Sequence, residues 1–157
     1  MSGLKSVLLA IEHATLRRDE LAKTAARIER TLGFARDQMA QLQGYAADTD
    51  TRWTGSASRG LSVELVRHQY QFMDRLQQAI ALQAGVLAST GQQLDFAKTS
   101  LLHAEFRLSG LSQILKTRQA VLVIKERRRE QRQTDEFAAM QYARNGVLPM
   151  SGEKYDH

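Results

Sequence analysis

The chain has 157 residues, a formal net charge of +5, one proline, 6% aromatic residues and no cysteine. The lack of cysteine excludes a disulfide framework and every thiolate-based metal or catalytic scheme, and the sparse aromatics and proline suit a helical rod better than a thick-cored globule. The charge is local: between Lys116 and Arg132 seven basic residues stand against two acidic ones, which implies an acidic partner at one end of the molecule.

At the N-terminus, MSGLKSVLLAIEH holds a short apolar patch. Glu12, His13 and Arg17 interrupt it well short of the ~20 residues a membrane span needs. A soluble, unprocessed, cytoplasmic chain is predicted. From Leu4 onward, positions taken alternately three and four apart read Leu4, Val7, Ile11, Ala14, Arg18, Leu21, Ala25, Ile28, Leu32, Ala35, Met39, Leu42, Ala46, with Arg18 the one break. An average spacing of 3.5 sustained over heptads keeps one stripe facing a partner helix as the two supercoil, so this is a coiled-coil helix. It is expected from near residue 3 to about residue 48.

The segment that follows, DTDTRWTGSASRGLS, is rich in Gly, Ser, Thr and Asp, and the spacing predicts a chain reversal over about 49–61. Ser62 is placed to cap a second helix, with Glu64 in its first turn where a carboxylate complements the macrodipole. The second seam runs Val66, Gln69, Met73, Leu76, Ile80, Gln83, Leu87, Thr90, Leu94, Ala97, Leu101, Ala104, Leu108, Leu111, Leu115, Arg118, Leu122. This helix is expected past residue 140, with Asn145, Gly146 and Pro149 ending it and a disordered tail over 146–157. Gly33, Gly85, Gly91 and Gly110 inside the helices each cost about 1 kcal/mol relative to alanine and should leave the rod bendable.

The predicted fold class is all-α: two long helices forming an antiparallel coiled-coil hairpin over 1–145, the second longer than the first. The first seam spans about 65 Å and the second helix about 120 Å at 1.5 Å per residue. With Leu42 near Leu76, Leu4 falls near residue 114. Everything beyond overhangs: the basic segment, the apolar cluster Ala120 to Ile124, and Phe137, Met140 and Tyr142.

No P-loop, GxGxxG, HExxH or CxxC occurs, and His13, His68, His103 and His157 are scattered rather than set three or four apart on one face. No catalytic, cofactor-binding or metal-binding residue is assigned, and an enzyme is not expected. The run Lys125 to Arg132 (KERRREQR) could neutralise phosphates, but no aromatics are interleaved for base stacking, and Glu126 and Glu130 stand at helical pairing distance from Arg129 and Arg127. A partner that is not nucleic acid is the preferred reading. Near the turn, Gln38, Leu42 and Tyr45 on the first helix and Phe72, Leu76 and Ala79 on the second form matching stripes at four-then-three spacing. They are either core at the splayed end or, since Tyr45 and Phe72 lie off the seams, a partner surface.

At these residues the sequence resembles the FliJ family of the flagellar type III export apparatus. The resemblance covers most of the chain, through the two-helix organisation, HQYQFMDRLQQAI (His68 to Ile80) opening the second helix and TDEFAAMQYAR (Thr134 to Arg144) late in it. It implies a non-enzymatic stalk, similar in shape to the γ subunit of rotary ATPases, peripheral to the inner face of the membrane through its partners only. The end carrying both termini would enter the hexameric ring of the export ATPase, the basic residues Lys125, Arg127, Arg128, Arg129 and Arg132 facing it. The patch Gln38, Leu42, Tyr45, Phe72, Leu76 and Ala79 would contact the cytoplasmic domain of the membrane export gate, and export chaperones would be escorted. Thr49 and Gln83 depart from the family pattern, which often carries an aromatic and a histidine there. The alternatives are a generic coiled-coil adaptor or the equivalent stalk of a virulence type III secretion system, and, third, a basic nucleic-acid-binding rod whose affinity falls steeply with salt.

Overall fold

The computed structural model describes residues 2–57, 60 and 62–147. They form two α-helices, α1 (Ser2–Ala57, 56 residues) and α2 (Val63–Val147, 85 residues), with no strand among the described residues. The all-α expectation and the inequality of the two helices hold.

The chain divides into two compact units. The larger, Glu12–Leu108, is the hairpin proper, in which residues 12–57 of α1 return on residues 63–108 of α2. Its core is the pair of seams. Ala14, Ala25, Leu32 and Ala35 from α1 are buried with Leu76, Thr90, Leu94, Ala97 and Ala104 from α2. Alanine supplies five of these nine, so the backbones can approach closely along a thin core. No side chain among the described residues is completely buried. A two-helix layer can bury only one stripe per helix, and its stability comes from length rather than depth. Arg18, the break in the first seam, is half-buried and bends its guanidinium out to Asp19, Nε and Nη2 donating to Oδ1 at 3.1 and 2.9 Å.

A polar seam residue marks the register. Placing Leu42 near Leu76 implies, one heptad away, that Ala35 faces Gln83. Gln83 Nε2 indeed donates to the Ala35 carbonyl at 2.9 Å, and also lies 3.4 Å from Gln38 Oε1. A partly buried polar group in a coiled-coil seam favours the alignment that satisfies it, because a slip would leave its donors without partners.

The reversal is shorter than the sequence composition implies. Residues 49–57 are helical, not turn. Thr51 and Thr54 direct their hydroxyls back onto the carbonyls of Ala47 and Asp50 at 2.9 and 2.8 Å, which satisfies them within the helix. Trp53 then meets Tyr70 edge to face, centroids 6.4 Å apart at 66°, and this contact rewards the extra turns. The reversal itself holds Gly60 at φ +73°, a left-handed conformation that suits glycine. Ser62 caps α2 as expected: the Leu65 amide donates to its Oγ at 3.3 Å and the Val66 amide to its carbonyl at 3.1 Å.

The smaller unit comprises Met1–Ile11 with Ser109–His157. Val7 is its buried residue on α1, Leu4, Leu111 and Leu115 are half-buried, and Arg118 closes the pairing by donating from Nη1 to the Gly3 carbonyl at 3.0 Å. Residues 116–146 are all exposed. Helix α2 includes Gly146 and Val147, two residues more than the expected end, and the remainder of the proposed tail lies outside the described residues.

Candidate functional site

No group of three or more His, Cys, Asp or Glu among the described residues could hold a metal. Two exposed faces contain the residues singled out from sequence.

The first lies toward the turn of the hairpin unit. Tyr45 (63% exposed) and Phe72 (50% exposed) present aromatic surface to solvent, as their off-seam positions imply. Leu76, at 9% exposure, is core, while Leu42 and Ala79 are half-buried. The stripe is therefore layered: Leu76 supports it from inside the seam, and Tyr45 and Phe72 form the surface a partner could meet. Gln38 is exposed, with its side-chain oxygen turned toward Gln83 across the hairpin. Next to this stripe, Asp50, Trp53, Gln69, Tyr70 and Met73 line a cavity of about 290 Å³. Sequence reasoning missed Trp53 and Tyr70 because Trp53 lay in the assumed turn. The off-seam aromatics Tyr45, Tyr70 and Phe72 were the available signal.

The second face belongs to the smaller unit. Lys125, Arg128, Arg129 and Arg132, spaced three, four and seven apart, share one side of α2 and border a shallow cavity of about 590 Å³ with Gln133 and Glu136. Arg127 points from another side. The expected internal pairing of this run is not found: among the described residues neither Glu126 nor Glu130 lies within ion-pair distance of an arginine, the ion pairs being Arg17 with Glu20 and Arg18 with Asp19. Exposed pairs gain little over hydration and cost side-chain entropy, so these five cations stay unneutralised. Just before them Val121, Leu122, Val123 and Ile124 are all exposed. Leu122 continues the second seam, yet it is exposed.

No helix among the described residues is long and apolar enough to cross a membrane. The exposed apolar residues and cations of the smaller unit, and the exposed aromatics of the larger, are surfaces that a partner could meet. The family model described as "Flagellar FliJ protein" matches residues 5–147, and the chain belongs to that family, a component of the flagellar export apparatus. Comparisons with curated proteins and with solved structures return no match.

Proposed function

We propose that the chain is a stalk of the flagellar export apparatus that engages the export ATPase and the export gate at separate surfaces. The observation that carries this reading is the uncovered end of α2: residues 116–146 are exposed along their whole length, with apolar Val121 to Ile124 leading into cations that lack internal partners. Such a helix is incomplete on its own. It suits insertion into an acidic, partly apolar channel, where burial of the apolar run supplies affinity and the cations supply steering and orientation. Lys125, Arg127, Arg128, Arg129 and Arg132 are the residues assigned to the hexameric export ATPase. Gln38, Leu42, Tyr45, Phe72 and Ala79, backed by Leu76, are assigned to the cytoplasmic domain of the export gate. Tyr45 and Phe72 provide the rigid aromatic area that interface centres favour. The stalk performs no chemistry; it promotes ring assembly and couples the ATPase to the gate, and it escorts export chaperones, so its association with the membrane is through partners.

The two surfaces are separable by experiment. Tyr45→Ala with Phe72→Ala should weaken binding to the cognate gate domain at least tenfold and leave ATPase binding unchanged. Arg128→Gln with Arg129→Gln and Arg132→Gln should do the reverse. A parallel loss of both partners by either variant, with helicity retained, would show one shared surface and end the two-site reading.

A further inference from the structure

The hairpin unit carries a groove that belongs to neither assigned surface. On α1, His13 and Arg17 stand one turn apart, flanking the buried Ala14. On α2, His103 and Arg107 do the same around the buried Ala104. Antiparallel pairing brings all four to one cavity of about 440 Å³, floored by Ala14, Ser100 and Ala104. A second cavity of about 450 Å³ lies beside it and shares Leu21 and Ser100 with the first. Its walls include Ile28, Ala97 and Phe96, the last 76% exposed. The two are one continuous groove, cationic at the His13 end and apolar at the Phe96 end.

Its charge is one-sided. No carboxylate among the described residues lines either cavity. Arg17 has Glu20 at 4.0 Å, the limit of an ion pair, and Arg107 has no ion pair among the described residues. Two guanidinium forks facing a shared groove match carboxylates, which they can bind bidentately. The small floor residues permit close approach of another backbone. From residue 13 to residue 28 the groove runs about 22 Å, the length of a helix of about 15 residues. A free phosphate would use the cationic end and leave the apolar end unexplained, and nucleic acid would gain nothing from Leu21 and Ile28.

We propose that this groove is a docking site for an acidic amphipathic helix of a partner protein. The helix seats as a third strand on the hairpin, its carboxylates toward Arg17, Arg107, His13 and His103 and its apolar residues against Leu21, Ile28 and Phe96. Helix-in-groove recognition of this kind takes its energy from the apolar face and its orientation from the charges. The proposal is independent of the ATPase and gate assignments, since it shares no residue with them.

The test uses the full chain and a labelled synthetic helix of about 15 residues, with leucines at heptad spacing and glutamates four apart at one end, read by fluorescence anisotropy. A second helix carries glutamine in place of glutamate. The glutamate helix should bind saturably, Arg17→Gln with Arg107→Gln should weaken it roughly tenfold, and Phe96→Ala should weaken it separately. The glutamine helix should bind less well and be indifferent to the arginine changes. Circular dichroism should show both variants folded, because all three residues are exposed. No saturable binding, equal loss from Lys125→Gln with Arg128→Gln, insensitivity to Phe96→Ala, or displacement by inorganic phosphate or duplex DNA at lower concentration than the helix would each overturn the proposal.

Discussion

Leu76 and Phe72 sit four residues apart on one helix and answer different questions. Leu76 is 91% removed from solvent on the seam, while half of Phe72 remains in water. Truncating Leu76 to alanine forfeits about 2 kcal/mol of transfer free energy. A residual cavity term adds to this, small here because a two-helix layer can relax around the gap, which places the total near 2–3 kcal/mol, the lower end for core leucines. For Phe72→Ala the loss should be about 1 kcal/mol or less, since much of the ring contributes nothing to the fold. A chain of this size shifts its melting temperature by roughly 2–4 °C per kcal/mol. Leu76→Ala should therefore melt about 4–12 °C lower by circular dichroism at 222 nm, and Phe72→Ala no more than about 4 °C lower. Gate binding measured well below both transitions should order the other way, Phe72→Ala being the more damaging. Equal thermal shifts, or a larger shift for Phe72→Ala, would refute the layered view of the stripe.

Gln83→Ala removes the donor that reaches the Ala35 carbonyl and should cost about 1 kcal/mol in urea unfolding; an unchanged midpoint would mean that register is held by apolar packing alone. Gly60→Ala places a side chain at φ +73° and should cost about 1–2 kcal/mol by the same measurement, although no neighbouring atom obstructs the added methyl. Gly85→Ala should act in the opposite sense, raising stability by up to about 1 kcal/mol, because the position is helical and nothing lies within 4 Å of the new Cβ. A fall in stability for Gly85→Ala would reveal a close approach at that point of α2.

The parts of the fold legible in the sequence were those written as periodicity. Every residue of the first seam is buried or half-buried, and so is the second seam through Leu115. Beyond it Arg118 and Leu122 are exposed, in keeping with the unequal lengths of α1 and α2. The cap at Ser62 was legible because capping needs only local geometry. The turn was not. Composition over 49–61 reads as loop, but the threonines can satisfy their hydroxyls on helix carbonyls, and the Trp53–Tyr70 contact that favours helix is tertiary. The cationic groove escaped for a similar reason: His13 and His103 are 90 positions apart in sequence, and no spacing rule on one helix brings them together. Antiparallel register does, and Gln83 marks it by its bond to the Ala35 carbonyl. The failure of Glu126 and Glu130 to neutralise their arginines was equally invisible, because sequence spacing shows which pairs can form, not which outcompete water.

The central claim is that the uncovered end of α2 engages the export ATPase. The most direct measurement is ATP hydrolysis by the cognate enzyme, titrated with the full chain and with a version ending after Arg118, which keeps the Arg118–Gly3 contact and removes the exposed apolar run and the cations after it. Saturable stimulation by the full chain and its loss on truncation is the predicted result. Equal stimulation by both forms, or none by the full chain, would contradict the stalk reading.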